Sequence, residues 1–237
     1  NIKSMLIDTA KRYYDVDIYI FNNNIENTPI DSTIVNNNDK DLLEANFIEE
    51  EKQTSIDMKI KTLVQTKKVN CTMRKDYTPA WIINSMRQMY SEEKVGAFLE
   101  KHKEKYKCAI VCGPDYFFLN QIKMQHIQNC INNKSFVYTT NVNDADGYTN
   151  GLYIGSPEPL VKILKRFSIL DQLLPTNKDY EYLLKRAFEI NNIDRYITEA
   201  PFFKIRSNKT VDRQGIMRHP FFNQAFLMVS NHVKNIN

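Results

Sequence analysis

The sequence lacks the long apolar run that a membrane-spanning helix requires, which is about 20 residues. It also lacks a recognisable signal peptide at its start. We therefore expect an intracellular protein with no membrane span, located in the cytoplasm. Its 237 residues, 42% of them hydrophobic, are enough to bury a substantial core.

A strong excess of positive charge is also missing. The formal net charge is only +4, and lysines and arginines alternate with acidic residues as on solvated helix faces. A protein that binds duplex nucleic acid more often carries a concentrated basic stripe. We therefore expect no nucleic-acid partner, although a sequence pI of about 8.7 keeps nucleic-acid association as a third hypothesis.

The cysteines lack the paired CxxC or HxxxH spacing of a zinc site. They occupy positions 71, 108, 112 and 130, and we interpret all of them as reduced thiols. Cys108 and Cys112 flank a short apolar run. Alternation along a strand predicts that both side chains lie on one face, in the core.

Apolar periodicity predicts an α/β protein, because strands alternate with helices along most of the chain. No internal repeat or linker is visible, so we expect a single domain over residues 1–237 with helices on both faces of a sheet. Residues 22–56 are predicted to be irregular apart from a short helix at 39–50, and residues 57–70 fit either a strand or a helix. The predicted strands cover 16–21, 108–112, 136–140, 151–155 and 202–206, and the predicted helices cover 2–14, 78–98, 156–167, 176–190 and 221–234.

An aspartate follows the apolar run that ends at Cys112. This run is predicted to be a buried central strand, and Asp115 comes directly after Gly113-Pro114. Ligands of open α/β sheets bind at the carboxyl ends of strands. A carboxylate at that edge can bind a divalent cation, which neutralises a diphosphate. The alternative is a simple turn in which the Asp115 side chain bonds to the backbone.

Two further carboxylates form a D-x-D pair in the polar loop 141–147. Asp144 and Asp146 together can hold Mn²⁺ or Mg²⁺ against a nucleotide diphosphate. Asp146 is also a candidate general base. A solvated loop in which Gly147 forms a turn explains the same residues.

Basic residues are grouped towards the C-terminus. Arginine contacts phosphate in a bidentate manner, so the segment 207–237 is predicted to be a flap that closes over phosphates. A solvated basic surface is the alternative. The basic residues are Arg206, Lys209, Arg213, Arg218 and His219.

The polar stretch 149–155 has two interpretations. It either forms the wall of a sugar pocket or only connects two elements.

Taken in order, these segments resemble glycosyltransferase domains found in large DNA viruses, including chlorella viruses, and in some bacteria. The resemblance covers residues 1–210 and depends on the order of short motifs. The matching segments read Asn84-Ser85-Met86-Arg87-Gln88-Met89-Tyr90, Lys105-Tyr106-Lys107-Cys108-Ala109-Ile110-Val111-Cys112-Gly113-Pro114-Asp115, Thr149-Asn150-Gly151-Leu152-Tyr153-Ile154-Gly155, Asp179-Tyr180-Glu181-Tyr182-Leu183-Leu184 and Phe203-Lys204-Ile205-Arg206.

The resemblance implies a Rossmann-like sheet of the glycosyltransferase A type, which binds a nucleotide-sugar at its carboxyl edge, usually with Mn²⁺ or Mg²⁺. It implies transfer of the sugar to a glycan or glycoprotein acceptor, in the host cytoplasm or a virion if the chain is viral. By position, Asp115 matches the family's metal-edge aspartate. Ser85, Gln88, Arg206 and Lys209 are assigned to donor binding.

Departures from the family's pattern support a second hypothesis. The two arginines that precede the family's Pro-Asp correspond to Val111 and Gly113, and the aspartate of its Asn-Asp motif corresponds to Asn150. Asn150 stays a candidate catalytic position, although an amide cannot act as a base. The family's first strand has no counterpart in the sequence, so we expect either that the chain is incomplete at its start or that the site is degenerate. The alternative is a catalytically degenerate relative that binds a nucleotide, a glycan or another protein.

Overall fold

A computed structural model of the protein describes most of the chain. It describes residues 1–25, 29–30, 33–34, 39–66, 79–142, 144, 146–173, 180–206, 208–212 and 222–235. Within these ranges, no helix is both long and apolar enough to cross a membrane. The predicted helix start at 176–179 and the basic residues of 213–219 lie outside the described residues.

Helices and strands alternate along the chain, with a π-helical turn at Lys3–Ile7 and 3₁₀ turns at Asp39–Leu43 and Lys165–Phe167. The α-helices are α1 (Asp8–Lys11), α2 (Gln53–Thr66), α3 (Pro79–Lys101), α4 (Met124–Asn132), α5 (Pro157–Leu164), α6 (Leu170–Leu173), α7 (Tyr180–Ile190) and α8 (Phe222–Lys234). The strands are β1 (Tyr19–Asn24), β2 (Pro29–Ile30), β3 (Thr33–Ile34), β4 (Phe47–Lys52), β5 (Ala109–Cys112), β6 (Tyr116–Phe118), β7 (Phe136–Thr139), β8 (Leu152–Gly155), β9 (Asp194–Ile197), β10 (Phe202–Ile205) and β11 (Val211–Asp212).

The largest sheet has four strands in the order β5-β8-β7-β9. β8 is antiparallel to both of its neighbours, whereas β7 and β9 are parallel. The register aligns Ile110, Ile154, Tyr138 and Tyr196 in one row across the four strands. Because successive side chains alternate between faces, this row defines one face of the sheet.

Helices cover both faces of the four-stranded sheet. The N-terminal helical segment and α4 pack on the face of Ile154, where Cys108 and Cys112 also lie. α3, α5 and α7 pack on the other face, around Tyr153 and Val137. Burial of a large apolar side chain stabilises the fold by roughly 1.5–3 kcal/mol, so both faces contribute to the core.

A second sheet has three strands in the order β11-β10-β6. β10 is antiparallel to both of its neighbours. Helix α8 covers one face of this sheet, where Val229 and Val233 pack with Phe203. On the opposite face, Phe118 and Phe202 belong to the core of the first sheet. The turn at residues 113–115 therefore connects the two sheets.

A third group of elements lies on the side of α3. β1 and β4 form a parallel pair in which Tyr19 is aligned with Phe47. α2 packs against α3, with Ile56 and Met89 buried in one cluster. The ring of Phe98 in α3 stacks on Tyr19 with centroids 4.0 Å apart, which fixes the strand pair to the helix.

The structure confirms a mixed α/β architecture with helices on both faces of a sheet. One prediction is wrong: within the described sheet, β5 is an edge strand rather than a central one. Helices cover both of its faces, so its side chains are apolar on both sides, and this pattern is typical of a central strand. The short helix predicted at 39–50 is also wrong, because only Asp39–Leu43 form a 3₁₀ turn and Phe47–Lys52 form a strand. Gln53–Thr66 form a helix, where the sequence predicted irregular or ambiguous structure.

Candidate functional site

Asp115 lies in the turn between β5 and β6, at the carboxyl end of β5. Its backbone carbonyl accepts a hydrogen bond from the Ile205 amide at 2.7 Å, which attaches the turn to the end of β10. The Asp115 side chain is half-buried. Within the part of the chain that the structure describes, no other side chain hydrogen-bonds or ion-pairs with its carboxylate.

A row of polar side chains crosses the three-stranded sheet next to this turn. The register aligns Tyr116 with Lys204, and Lys204 with Asp212. All three side chains therefore emerge on the same face of the sheet. The Lys204 Nζ lies 5.4 Å from the centroid of the Tyr116 ring, in a cation–π contact.

Arg206 follows β10 and donates a hydrogen bond from its guanidinium group to the Asp212 carboxylate. The amide of Lys209 donates to the Arg206 carbonyl at 2.9 Å, so both predicted donor-binding residues share one turn. Lys209 has a φ of 61°, a left-handed conformation uncommon outside glycine. We name Asp115, Lys204, Arg206 and Asp212 the charged corner.

Burial dominates the electrostatics of Asp115. It raises the pKa of the carboxyl above its ordinary value of 3.8, because an ionised carboxylate is poorly solvated there. The positive charges of Lys204 and Arg206 oppose this rise, and the negative charge of Asp212 adds to it. Burial, with a smaller contribution from Asp115, also raises the pKa of the neighbouring Cys112 thiol to about 12. Cys112 is therefore a neutral thiol beside the corner.

Two glycines make room for the Tyr116 ring. A Cβ at Gly113 would lie 2.8 Å from the ring, and a Cβ at Gly151 would lie 2.4 Å from it. Gly151 also has a φ of +127°, which other residues rarely adopt. The Gly113 amide donates to the Gly151 carbonyl at 3.2 Å. The segment before β8 is therefore joined to the turn that carries Asp115.

Asn150 belongs to a buried polar network. Its Oδ1 accepts hydrogen bonds from Arg166 at 3.2 Å and from the Tyr153 hydroxyl at 3.3 Å. Arg166 is fully buried, forms an ion pair with Glu92 and donates to the Tyr180 hydroxyl at 2.7 Å. An amide held in this way cannot take a proton from a substrate. The chemical role predicted for position 150 is therefore limited to hydrogen bonding.

The two carboxylates of the D-x-D motif lie in different environments. The Asp144 carboxylate accepts two hydrogen bonds from Arg195, at 2.7 and 2.9 Å, and one from the Thr149 hydroxyl at 2.7 Å. Both of its oxygens are therefore engaged within the protein. Asp146 is exposed, next to the buried Gly147.

Ser85 and Gln88 both lie on α3 and are half-buried. The Gln88 amide donates to Glu92 Oε1 at 2.9 Å, which places it beside the buried network. Among the hydrogen bonds and ion pairs of the described residues, none connects Ser85 or Gln88 to the charged corner. The structure therefore brings Arg206, but neither of these two, to Asp115.

The described side chains do not form the predicted divalent metal site. No group of three histidine, cysteine, aspartate or glutamate residues among them is arranged to hold a metal ion. Asp115, Asp144 and Asp146 are therefore not one ligand set. The charged corner offers two carboxylates, and that of Asp212 is already bound to Arg206. A requirement for Mn²⁺ or Mg²⁺ stays a prediction.

Some residues of these sites carried little signal in the sequence. Lys204 and Asp212 reach Asp115 only through the pairing of β6, β10 and β11. Arg166 and Glu92 lie on separate elements and meet only in the folded chain. The one available signal was the basic residue Arg166 inside an apolar helical pattern, where a charge needs a partner if it is buried.

No protein-family model matches the chain, and no curated protein or solved structure matches it either. The geometry and charge of the charged corner are therefore the basis for a functional proposal.

Proposed function

We propose that the protein is a glycosyltransferase that moves a sugar from a nucleotide-sugar to a glycan or glycoprotein acceptor. The observation that supports this proposal is the half-buried Asp115 carboxylate, which lies at the carboxyl end of β5 within the electrostatic influence of Lys204 and Arg206. No described side chain bonds to this carboxylate, so it is available to a substrate. A Rossmann-like sheet of the glycosyltransferase A type belongs to the same proposal.

The cations of the charged corner suit a diphosphate. Lys204 supplies a compact ammonium charge, and Arg206 supplies a planar guanidinium group with several donors. Hydrogen bonds from ionised donors to phosphate are roughly twice as strong as neutral ones. A diphosphate bound there is stabilised as it becomes the leaving group, which lowers the barrier to transfer.

Asp115 is the general base of the proposed step. An acceptor hydroxyl attacks the anomeric carbon, and a new carbon–oxygen bond forms. The bond from the anomeric carbon to the phosphate oxygen breaks, and its electron pair leaves with the nucleoside diphosphate. The Asp115 carboxylate takes the acceptor's proton. A raised pKa makes it a stronger base than an exposed carboxylate.

A second candidate is a catalytically degenerate relative that binds a nucleotide, a glycan or a protein. The observation that favours it is Asn150, whose Oδ1 is fixed by Arg166 and Tyr153. This position cannot supply a base, so catalysis depends on Asp115. The second candidate predicts donor binding without turnover.

The test is calorimetry with a panel of UDP- and GDP-sugars, with and without Mn²⁺, together with an assay of nucleoside diphosphate release. We expect Asp115→Asn to keep donor binding and to lose about 10²–10⁴-fold in turnover, the usual contribution of a general base. Asp17→Asn is the matched control, because that exposed carboxylate pairs with Lys105.

Each other outcome has a distinct meaning. Loss of only Mn²⁺-dependent binding in Asp115→Asn would make Asp115 a metal ligand rather than a base. Unchanged turnover would remove it from the site. Wild-type protein that binds a donor but releases no nucleoside diphosphate would support the degenerate relative.

A further inference from the structure

Strand β9 is an edge strand of the four-stranded sheet, and among the described residues it pairs only with β7. The amides of Asp194 and Thr198 donate to carbonyls at or next to β7, at 3.1 and 2.9 Å. Alternate residues of a strand bond to the same neighbouring strand. The backbone N–H and C=O groups of Arg195 and Ile197 therefore point away from β7.

These outward backbone groups have no partner within the described part of the chain. A row of unpaired N–H and C=O groups is a template for another strand, and sheets commonly protect it with charge, proline or a bulge. Here the charge of Arg195 is paired with Asp144. Tyr196 and Ile197 are apolar at this edge and are 50% and 43% exposed. The edge is therefore poorly protected against pairing.

A row of aromatic rings leads across the sheet to this edge. His126 stacks on Tyr138 with centroids 4.2 Å apart, and the Tyr138 ring lies 5.8 Å from that of Tyr196. Phe136 also contacts Tyr196, with centroids 4.7 Å apart. Tyr196 is half-exposed and ends the row among the described residues. Its outer side is open to a further ring.

We propose that β9 pairs with β9 of a second copy of this chain, antiparallel and about a two-fold axis at Tyr196. A two-fold interface joins one surface to itself. In this register, Arg195 of each copy lies opposite Ile197 of the other, and the two residues exchange both of their hydrogen bonds. Every outward backbone group of both strands is then paired. The two Tyr196 side chains meet at the axis, where opposite side chains are closest.

The other two-fold registers fit less well. Centred on Arg195, the pairing would place two arginines directly opposite each other, and like charges so placed are destabilising. It would also place Ile197 opposite Ile193, whose N–H already donates to a carbonyl of α7. Centred on Ile197, it would place Arg195 opposite Glu199, beyond the end of β9, whose carbonyl already accepts a side-chain hydrogen bond. The register centred on Tyr196 has none of these conflicts.

This inference goes beyond the proposed function and does not depend on it. The charged corner follows β5, which is the opposite edge strand of the same sheet. Pairing through β9 therefore does not use Asp115 or its neighbours. One short strand from each copy makes a small interface, so we expect a weak dimer that dissociates on dilution.

Sedimentation equilibrium over a range of protein concentrations tests the dimer. We expect the average mass of wild-type protein to rise from 27.9 kDa towards twice that value. Ile197→Pro removes one outward N–H but none that faces β7, so it should stay at the monomer mass. Met228→Lys is the matched control, because Met228 is an equally exposed apolar residue on α8, and it should associate like wild-type protein. Thermal unfolding checks that each variant is folded.

Cysteine cross-linking under mild oxidation tests the register. Opposite residues of a non-hydrogen-bonded pair have Cα atoms about 4.5 Å apart, which suits a disulfide. Tyr196→Cys should therefore form a covalent dimer. Ile197→Cys is the control, because each Ile197 lies two residues out of register with its own copy, beyond the reach of a disulfide. Wild-type protein oxidised in parallel measures any cross-linking by the native cysteines.

A concentration-dependent dimer that is lost in Ile197→Pro, together with selective cross-linking of Tyr196→Cys, supports the proposal. Wild-type protein that stays at the monomer mass at every concentration overturns it, whether the edge is then covered by an extended segment of another protein or by solvent. A dimer that persists in Ile197→Pro uses another surface and also overturns it. Equal cross-linking of Tyr196→Cys and Ile197→Cys overturns the register centred on Tyr196.

Discussion

Opposing effects act on the carboxyl group of Asp115. Burial disfavours the ionised form, whereas Lys204 and Arg206 favour it. Burial is the larger effect, so the folded protein binds this proton more tightly than the unfolded chain does. A functional group kept in an unfavourable environment is typical of a site whose chemistry matters more than local stability.

The raised pKa of Asp115 has a consequence for stability. A carboxyl whose pKa is higher in the folded state stabilises the fold below its ordinary value of 3.8, and this contribution is lost as the pH rises through the folded-state pKa. We therefore expect Asp115→Asn to be more stable than wild-type protein at neutral pH. The difference in the free energy of unfolding should shrink as the pH falls towards 4, measured by urea denaturation.

The control variant for this pH experiment, Asp17→Asn, should change the free energy of unfolding in the opposite direction. A hydrogen bond from Lys105 lowers the pKa of Asp17, so this carboxylate stabilises the fold above its ordinary pKa. Asp17→Asn should therefore be less stable than wild-type protein at neutral pH, and this loss should fade as the pH falls. A pH-independent difference for Asp115→Asn would show that its effect is packing rather than ionisation.

At the level of residues, the sequence pointed to Asp115 because it follows a short apolar strand. It did not point to Lys204 or Asp212, because strand register depends on side-chain packing between distant segments. The sequence also suggested that Asp144 and Asp146 bind a metal ion together. In the structure, Arg195 donates hydrogen bonds to the Asp144 carboxylate, and a single sequence does not reveal that these two residues meet.

The loop from residue 144 to 151 contacts both the buried network, through Asn150, and the turn that carries Asp115, through Gly151. Asp144 is fixed by Arg195, and the Tyr148 amide donates to the Glu181 carbonyl at 2.9 Å. At its end, Gly151 is fixed to Gly113. These contacts make the loop a rigid wall, as a preorganised binding site requires.

A substitution at Gly147 tests how closely this loop approaches α7. A Cβ at this position would lie 2.0 Å from the Glu181 carbonyl carbon, and the obstacle is backbone that cannot rotate away. We expect Gly147→Ala to lower the free energy of unfolding by about 1–3 kcal/mol, the usual cost of overpacking. The measurement is urea denaturation at neutral pH.

Asp146→Ala is the control within the same loop. The Asp146 side chain is exposed, and an exposed side-chain interaction contributes at most about 1 kcal/mol, so its removal should cost no more than that. If Gly147→Ala were no more destabilised than Asp146→Ala, the close approach to α7 would be wrong.

Elements with strong apolar periodicity were predictable, and those that depend on tertiary contacts were not. Helix α3 and strands β5, β7, β8 and β10 follow their predicted positions within a few residues. β9 was missed because its segment Asp-Arg-Tyr-Ile has no alternating pattern. Its strand conformation comes from parallel pairing with β7, and Arg195 points inwards to Asp144.

For the whole molecule, the sequence predicted a mixed α/β class with helices on both faces of a sheet, and the structure agrees. It did not predict the strand order. An edge strand covered by helices on both faces has the same composition as a central one, so β5 gave no sign of its position. The charged corner also lies between two sheets, an arrangement that local patterns cannot show.

The buried ion pair between Arg166 and Glu92 links helix α3 to the 3₁₀ turn that follows α5. Glu92 lies on α3, and Arg166 lies in the 3₁₀ turn after α5. The network continues to Tyr153 on β8 and Tyr180 on α7. A buried charge without its partner is costly, so these elements must come together correctly for either charge to be tolerated.

Removal of one partner should therefore affect global stability. We expect Arg166→Met to lower the free energy of unfolding by about 3–5 kcal/mol, because Glu92 is left as an uncompensated buried charge. The double variant Arg166→Met with Glu92→Leu should recover part of this loss, since it removes the charge as well. Arg87→Met is the matched control: its pair with Asp57 is partly exposed, and its loss should cost no more than about 1 kcal/mol. A double variant no more stable than Arg166→Met would mean that the lost hydrogen bonds to Asn150 and Tyr180, rather than the unpaired charge, account for the destabilisation.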